Sequence, residues 1–326
     1  MSLSVSARKK AVAIAVVGVV TAVPIVAMAT PADAASTTVT SASQLKSALK
    51  SAAPGDTITL ADGTYTGKFV AAKNGTSSAP ITLVGSRNAV LTTASVSSGY
   101  ALNLTGDHWN LSGFSVATAK KGIVLDGSVG SRLDALDVGS VGEEAVHLRE
   151  NSSGAVITGS VIHDTGLTNA GFGEGIYVGS AASNWDSVMG SSSTPDRSDG
   201  VVIENNLIGS TSAEGIDVKE GTSGGRIAGN HFVDAGYSGA NYADSWVDLK
   251  GNGYTVVDNY GSGAAADAFQ VHVAVAGWGS GNYFGNNGRI SGVPGFEVNV
   301  QSTATGTVVA CGPSGAGGGL SNIPCS

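Results

Sequence analysis

Four charged side chains of both signs lie between positions 214 and 220, in a chain with only 13% charged residues. The segment reads E-G-I-D-V-K-E, so Ile216 and Val218 alternate with Asp217 and Lys219, which is the period of a strand with one buried face. Carboxylates at this density are suited to binding a hard cation such as calcium, and a lysine whose pKa is lowered can act as a general base. We expect Asp217 and Lys219 to point to solvent together.

Strand-like segments of this kind recur along the chain at intervals of 22 to 40 residues. Their apolar patterns align at residues 122–126, 145–149, 175–179, 215–219, 246–250 and 268–272. A second type of segment follows most of them and places Asn206, Asn230 and Asn259 in register, which suggests a ladder of side-chain amides. A sandwich or barrel also has many short strands, but the paired recurrence favours the coils of a single-stranded parallel β-helix, an all-β solenoid.

Both ends of the predicted solenoid carry features suited to closing it. Leu45 and Leu49 are at helical spacing within Ser41–Ala53, and Ser41 with Gln44 suits a capping box, so we predict a capping helix within residues 36–53. Cys311 and Cys325 are the two cysteines of the chain, and we expect a disulfide between them in a C-terminal cap at residues 301–326.

The first 34 residues have the pattern of a secretory signal peptide. Three basic residues at positions 8–10 precede an apolar run from Ala11 to Ala29, and the small-residue pattern Ala32-Asp33-Ala34 follows. An uncleaved membrane anchor is the alternative, although Pro24 and the cleavage pattern favour removal. We therefore predict a secreted β-helix domain at residues 35–326, without a membrane segment after cleavage, and expect a monomer.

The composition argues against a nucleic-acid partner. The formal net charge is −8, so general electrostatic attraction to a phosphate backbone is absent. An acidic polymer remains a possible partner if the few cations are gathered in one groove, or if calcium bridges the two.

Stacking of the coils would bring distant side chains into columns on one sheet, with equivalent positions about 5 Å apart. The expected columns are Asp126, Arg149, Gly179, Lys219, Lys250 and His272; then His147, Tyr177, Asp217, Asp248 and Gln270; and, where each strand begins, Lys121, Glu144, Glu174, Glu214, Ser245 and Asp267. A salt-bridged surface without function is one interpretation. However, Lys219 and Lys250 would be adjacent like charges, which is unfavourable unless a local or bound anion lies over them.

Such columns fit proton abstraction next to the carboxylate of a uronic acid, followed by β-elimination. The expected calcium ligands are Glu214 and Asp217 with Glu174 or Asp248, and calcium would neutralise the substrate carboxylate. Lys219 would be the base, with Lys250 and the cation lowering its pKa.

The remaining roles are assigned to side chains on the same coils. Arg149 or Lys250 would hold a carboxylate, and His272 or Lys250 would protonate the leaving oxygen. The candidate substrate contacts are Tyr177, Trp185, Tyr237, Tyr242, Asp267 and Gln270, of which Trp185, Tyr237 and Tyr242 belong to the long insertions that flank these coils.

The spacing E-x-x-x-x-K at Glu214 and Lys219, followed by the Gly-Asn turn at 229–230, resembles the motif of the chondroitinase B and alginate lyase family. The opening coil at 43–65 and the segment 74–83 are also similar to that family, which consists of right-handed β-helical polysaccharide lyases of the pectate-lyase-like superfamily. The resemblance implies that Lys219 is the base and Glu214 a calcium ligand. One coil later the family has an Arg-His pair where this chain has Leu249 and Lys250, so the proton donor differs.

Two other functions remain open at this point. A glycoside hydrolase needs two carboxylates across the scissile bond, for which Asp217 and Asp248, with Asp267 beyond, are candidates. A carbohydrate-binding or adhesion solenoid would bind a polymer without cleaving it.

Overall fold

The computed structural model describes residues 1–3 and 34–326, so residues 4–33, which hold most of the predicted signal peptide, lie outside the described residues. From residue 34 onward the chain winds into a right-handed parallel β-helix with three parallel sheets. The predicted fold class is confirmed.

Each sheet contains strands from successive coils, numbered here along the chain. Sheet 1 consists of β1 (Ser36–Val39), β2 (Thr57–Leu60), β5 (Ile81–Gly85), β8 (Trp109–Ser112), β11 (Arg132–Asp134), β14 (Val156–Thr158), β17 (Val202–Glu204), β20 (Arg226–Ala228), β23 (Thr255–Val257), β26 (Tyr283–Gly285) and β29 (Val308–Val309). Sheet 2 consists of β3 (Gly63–Thr66), β6 (Ala89–Thr92), β9 (Ser115–Ala117), β12 (Asp137–Gly139), β15 (Val161–Thr165), β18 (Leu207–Thr211), β21 (His231–Ala235), β24 (Tyr260–Ser262) and β27 (Arg289–Ser291). Sheet 3 consists of β4 (Phe69–Ala71), β7 (Tyr100–Leu104), β10 (Lys121–Asp126), β13 (Val146–Arg149), β16 (Ile176–Val178), β19 (Ile216–Val218), β22 (Val247–Leu249), β25 (Phe269–Val271), β28 (Phe296–Val300) and β30 (Gly319–Ser321).

Helical structure is confined to short segments in the described part of the chain. The α-helices are α1 (Ala42–Ser51) and α2 (Trp185–Met189), and single 3₁₀ turns lie at Ala170–Phe172, Ala182–Asn184 and Ala240–Tyr242. None of the described helices is long and apolar enough to cross a membrane.

Sheet 3 carries the columns that the sequence predicts. The register pairs Asp126 with Arg149 and runs through His147, Tyr177, Asp217, Asp248 and Gln270 in order. The apolar residues between them point inward, and the aromatic rings of Phe232, Trp246 and Phe269 pack against one another in the core. The alternation therefore separates an apolar interior from a polar outer face.

The predicted asparagine ladder forms and is one step longer than expected. The side-chain Nδ2 of Asn206 donates to Oδ1 of Asn230, that of Asn230 to Asn259, and that of Asn259 to Asn287, each at 3.0 to 3.2 Å. Each amide also donates to a backbone carbonyl of the preceding coil, as Asn230 does to Ile203. All four asparagines are buried, so the ladder satisfies polar groups inside the turn.

A left-handed backbone conformation precedes every ladder asparagine. The residues in this conformation are Asn205, Gly229, Asp258 and Asn286, with φ between 57° and 64°. Glycine, asparagine and aspartate tolerate positive φ better than other residues. This requirement explains why the ladder positions occur in the sequence as Asn-Asn, Gly-Asn and Asp-Asn pairs.

Helix α1 and the disulfide lie toward opposite ends of the solenoid. Ser41 is the N-cap of α1 and its Oγ accepts from the Gln44 backbone, while Leu45 and Leu49 are buried. Strand β1, which the sequence did not predict, precedes α1 and pairs with β2. At the other end Cys311 and Cys325 form the expected disulfide, with their Cα atoms 5.0 Å apart.

Replacing Asn230 with alanine should lower the free energy of unfolding by about 2 to 5 kcal/mol, because it removes the acceptor of the Asn206 backbone N–H and side-chain amide and the donor to the Ile203 carbonyl. The matched control is Asn88→Ala, since Asn88 is exposed, and its effect should stay within about 0.5 kcal/mol. Urea unfolding followed by circular dichroism measures both. Equal effects of the two substitutions would show that the ladder does not stabilise the coils.

Candidate active site

A group of alternating charges occupies the outer face of sheet 3 at strands β19, β22 and β25. We call Asp217, Lys219, Asp248, Lys250 and His272 the charged cluster. The Lys219 ammonium contacts Asp217 Oδ2, while Lys250 Nζ lies 2.9 Å from Asp217 Oδ1 and also contacts Asp248. His272 Nδ1 lies 2.8 Å from the other Asp248 oxygen. Carboxylates thus lie between the cationic groups, which explains how two lysines can be neighbours in one column.

The charged cluster is much less exposed than the sequence predicted. Asp217 and Asp248 lie on the outer face of the sheet, but they are only 2% and 4% exposed. The side chains of Lys219 and Lys250 are each 14% exposed, and that of His272 is 41% exposed. The expectation that Asp217 faces solvent is wrong, because the side chains of Lys219 and Lys250 lie against its two oxygens. Cationic groups therefore form the accessible part of the cluster.

The pKa of Lys219 is raised, which is the opposite of the expected change. Burial alone would lower it, but the charge and hydrogen bond of Asp217 outweigh burial, and Asp248 and Glu214 add to their effect. The pKa of Lys250 is raised above its ordinary value by Asp217 and Asp248 in the same way. Both ammonium groups therefore hold their protons at neutral pH in the free protein.

The pKa values of Asp248 and His272 move in opposite directions. Although burial opposes ionisation of Asp248, the charges of Lys250 and His272 hold its pKa below the usual range. The pKa of His272 is raised by its hydrogen bond to Asp248 and by that carboxylate's charge, against a smaller effect of burial. The charged cluster is thus a set of mutually stabilised ions.

Glu174 and Glu214 lie beside the charged cluster and behave differently. Burial, followed by the negative charges of Asp217 and Glu144, raises the pKa of Glu174 to about 8. Burial and the charges of Asp217 and Asp248 also raise the pKa of Glu214 well above its ordinary value. Oε2 of Glu174 is buried without a hydrogen-bond partner among the described residues. Lys219 lowers the pKa of Glu174 and Lys250 lowers that of Glu214, but neither lysine outweighs burial and the neighbouring carboxylates.

Three of the four expected calcium ligands come together. One carboxylate oxygen each from Glu174, Glu214 and Asp217 lies within 4.8 Å of the others, in a buried position. Asp248, the fourth, instead binds Lys250 and His272. The three carboxylates form a buried acidic cluster that could hold a metal ion.

Tyr177 and Arg149 lie on the N-terminal side of this cluster. The Lys219 Nζ is 4.9 Å from the centroid of the Tyr177 ring, and the opposite neighbour of Tyr177 is His147, at 4.5 Å between ring centroids. Burial and the charge of Asp217 raise the pKa of the Tyr177 phenol, which therefore keeps its proton. Arg149 Nε donates to Asp126 Oδ1 at 2.5 Å, so Arg149 is not a free cation.

The predicted substrate contacts differ in accessibility. Trp185 is 5% exposed and its Nε1 donates to the Ser180 carbonyl, so its ring supports its own loop. Gln270 and Asp267 are buried and hydrogen-bonded to each other. Tyr237 and Tyr242 are 54% and 88% exposed and remain available for stacking.

Sequence reasoning assigned no role to several residues that shape the site. Glu220 Oε1 accepts from the backbone of Ala182 and so fastens the inserted loop to the next coil. The Tyr100 ring lies 5.8 Å from the Arg149 guanidinium carbon, although 49 residues separate them. Glu220 is the last charged residue of the E-G-I-D-V-K-E segment and could have been considered. For Tyr100, only the register of the coils indicates a position near Arg149.

The comparisons with known proteins agree with this architecture. A family model described as a Pel9A-like right-handed β-helix region matches residues 25–181. The solved structure of an alginate lyase from Paenibacillus sp. str. FPU-7 superposes with a TM-score of 0.80 and 40% identity, covering 88% of this chain and 98% of that chain. A search of curated proteins gave no significant match.

Two more distant structures share the fold alone. Pectate lyase Pel9A has a TM-score of 0.58 and 14% identity, covering 88% of this chain and 79% of its own. The GH136 lacto-N-biosidase from Eubacterium ramulus has a TM-score of 0.56 and 10% identity, covering 87% and 67%. A lyase and a biosidase thus share this fold, so the fold does not choose between them. With 40% identity over nearly the whole of both chains, the protein belongs to the polysaccharide lyase-like, right-handed β-helix family that includes the Paenibacillus alginate lyase.

Proposed function

We propose that the protein is a polysaccharide lyase that cleaves alginate by β-elimination. The observation that carries the proposal is the position of Lys219, whose partly exposed amine lies between Asp217 and the Tyr177 ring. The 40% identical structure, which covers nearly the same length, is an alginate lyase. We further propose that the predicted signal peptide directs secretion and that the protein acts as a monomer on this acidic polysaccharide.

In this reaction Lys219 removes the proton from C5 of the uronate next to the cleaved bond. The electron pair forms the C4–C5 double bond, the C4–O bond breaks, and the departing oxygen takes up a proton. Only the neutral amine can accept the C5 proton, and the pKa of Lys219 is raised in the free protein. Activity should therefore rise with pH on the alkaline side of neutrality, as the neutral fraction of Lys219 grows.

Tyr177 is the proton donor that the geometry favours. Its phenol keeps its proton, and its ring contacts the Lys219 amine. The donors expected from the sequence, Lys250 and His272, are both held by Asp248. We therefore assign the leaving oxygen's proton to Tyr177, and retain His272 as the alternative because its side chain is the more exposed of the two.

Calcium fits the buried acidic cluster of Glu174, Glu214 and Asp217. Glu174 offers a buried oxygen without a partner among the described residues, and burial beside other carboxylates raises the pKa values of both glutamates, an effect that a bound cation would oppose. The two Asp217 oxygens already contact lysines, so the glutamates would supply the free ligand atoms. When bound, calcium would help to neutralise the carboxylate of the substrate.

One observation supports glycoside hydrolysis as a second candidate. Glu174, with its pKa of about 8, is a neutral acid near the ion-paired Asp217, and their oxygens lie within 4.8 Å. An acid beside a carboxylate at about 5 Å is the arrangement of retaining glycosidases. The pair expected from the sequence, Asp217 and Asp248, is less suitable because Lys250 contacts both.

Lys219→Ala should reduce the formation of unsaturated product from alginate by about 10²- to 10⁴-fold, because it removes the base. Ultraviolet absorbance of the unsaturated product, measured with wild-type protein and with Lys68→Ala as an exposed-lysine control, tests this expectation. New reducing ends without ultraviolet absorbance would instead indicate a hydrolase. Binding of alginate without any product would indicate an adhesion solenoid.

Tyr177→Phe should lower kcat by about 10²-fold or more while KM changes little, because the ring is kept and only the donated proton is lost. His272→Ala is the comparison, and its kcat should fall less. Steady-state rates on alginate measure both variants. A larger loss of kcat in His272→Ala than in Tyr177→Phe would transfer the donor role to His272.

Glu174→Gln should flatten the pH dependence of stability in a chelator-containing buffer. The unfolded state releases the Glu174 proton near its ordinary pKa of 4.5, whereas the folded state keeps it up to about pH 8. The stabilisation is therefore complete below the unfolded value and is lost as the pH rises through about 8. Thermal unfolding at a series of pH values measures the slope, which should be steeper in the wild type than in the variant.

Calcium should reverse that loss in the wild type. Binding favours the ionised glutamates, so the increase in Tm on adding calcium should be larger at about pH 8 than at about pH 5, and should correspond to about 2.7 kcal/mol at 100 times Kd. Glu174→Gln should lose most of the increase. An unchanged Tm in the wild type at both pH values would exclude a calcium site here.

A further inference from the structure

A cavity of about 200 Å³ lies next to the charged cluster, on the side toward the N-terminus. We call it the polar pocket. Its floor is the outer face of β10, β13 and β16, and the inserted segment around α2 forms its roof. The lining residues used below are Lys121, Glu144, His147, Arg149, Tyr177 and Val188. Because Tyr177 contacts Lys219 on its other side, the pocket adjoins the proposed site of proton abstraction.

Two buried acceptor atoms in the polar pocket have no partner. Oε2 of Glu144 and Nδ1 of His147 are both buried without a hydrogen-bond partner among the described residues. The other ring nitrogen of His147, Nε2, lies 3.1 Å from the Gly179 carbonyl, which can only accept, so the proton resides on Nε2. Nδ1, which lies 3.5 Å from Glu144 Oε1, therefore presents a lone pair. Acceptors buried in this way call for a donor from outside the protein.

The same pocket contains two cations that suit a carboxylate. Lys121 Nζ lies 2.6 Å from Glu144 Oε1, and Arg149 binds Asp126 through Nε and Nη2. A guanidinium has five N–H groups, so Arg149 keeps donors beyond those contacts. The charges of Lys121 and Arg149, after burial, hold the pKa of His147 well below its ordinary value, so His147 stays a neutral acceptor.

We propose that the polar pocket is a subsite for one uronate residue of the polymer. Arg149 and Lys121 bind its carboxylate, while His147 Nδ1 and Glu144 Oε2 accept from its hydroxyl groups. Pockets for larger ligands measure about 300 to 1,000 Å³, so this volume suits a single sugar ring. The choice of a uronate polymer rests on the proposed function, and the shared wall at Tyr177 places this ring beside the bond that is cleaved.

The subsite can be tested by placing a larger side chain in the polar pocket from the segment around α2. Val188→Trp places an indole in the pocket, and Glu144→Gln is a second, nearly isosteric change that alters the acceptor. Ser192→Trp, on the same loop but outside the lining, is the control. Each is made in the Lys219→Ala background so that ligand is not consumed, and thermal unfolding verifies that each variant is folded. Calorimetric titration with trimannuronate then gives Kd.

We expect Val188→Trp and Glu144→Gln to weaken trimannuronate binding at least 10-fold and Ser192→Trp to change it less than twofold. A neutral cellotriose should bind the parent at least 10-fold more weakly than trimannuronate. Unchanged affinity in both pocket variants, or no binding of trimannuronate to the parent, would overturn the subsite. If the wild type forms ultraviolet-absorbing product but the pocket variants bind trimannuronate as tightly as the parent, the protein is a lyase without this subsite. If the pocket variants weaken binding but the wild type forms no product, the subsite is supported and the lyase activity is not.

Discussion

Parallel stacking of the coils at about 4.8 Å is the constraint on which the rest of the structure depends. Each outward side chain in the inner coils of sheet 3 has one neighbour in the coil before and one in the coil after, so its charge must suit both. Asp217 lies between Tyr177 and Asp248 in its column, and its two oxygens contact Lys219 on its own coil and Lys250 on the next coil. The same geometry brings Glu174 and Glu214 close to Asp217, where burial and negative charge raise their pKa values more than Lys219 and Lys250 lower them. Chemistry on this fold is therefore decided by vertical neighbours.

The chain contains enough local information to predict the coils and their register. Apolar residues at period two mark each strand, and a residue that tolerates positive φ precedes each ladder asparagine, so both features can be recognised within a few positions. Burial of the charged cluster could not be predicted, because it depends on how the long side chains of neighbouring coils lie against the two aspartates. The raised pKa of Lys219 could not be predicted for a related reason. Two lysines in one column suggested repulsion, and only the three-dimensional structure shows that the Asp217 carboxylate lies between them.

Residue predictions that depend on strand register are correct, whereas those that depend on inserted segments are less accurate. Glu174, Glu214, Asp217 and Lys219 were placed together because their strands pair directly, and register alone determines such contacts. Trp185 belongs to an inserted segment, where the same aromatic residue can face either a ligand or the protein, and here it packs inward. The interior of the solenoid specifies a fold that is shared by proteins named as a lyase and as a biosidase. Specificity is consequently expected from outer columns and inserted loops.

The helix and the disulfide at the two ends of the solenoid have a consequence for its kinetic stability. In a linear stack each inner coil is held by two neighbours but a terminal coil by only one, so opening begins at the ends and proceeds inward. Helix α1 shields the first coils, and the Cys311–Cys325 disulfide ties the last segment to itself. Both features act where unzipping would start. They should therefore slow the rate of unfolding and of proteolytic attack more than they change the equilibrium between folded and unfolded protein.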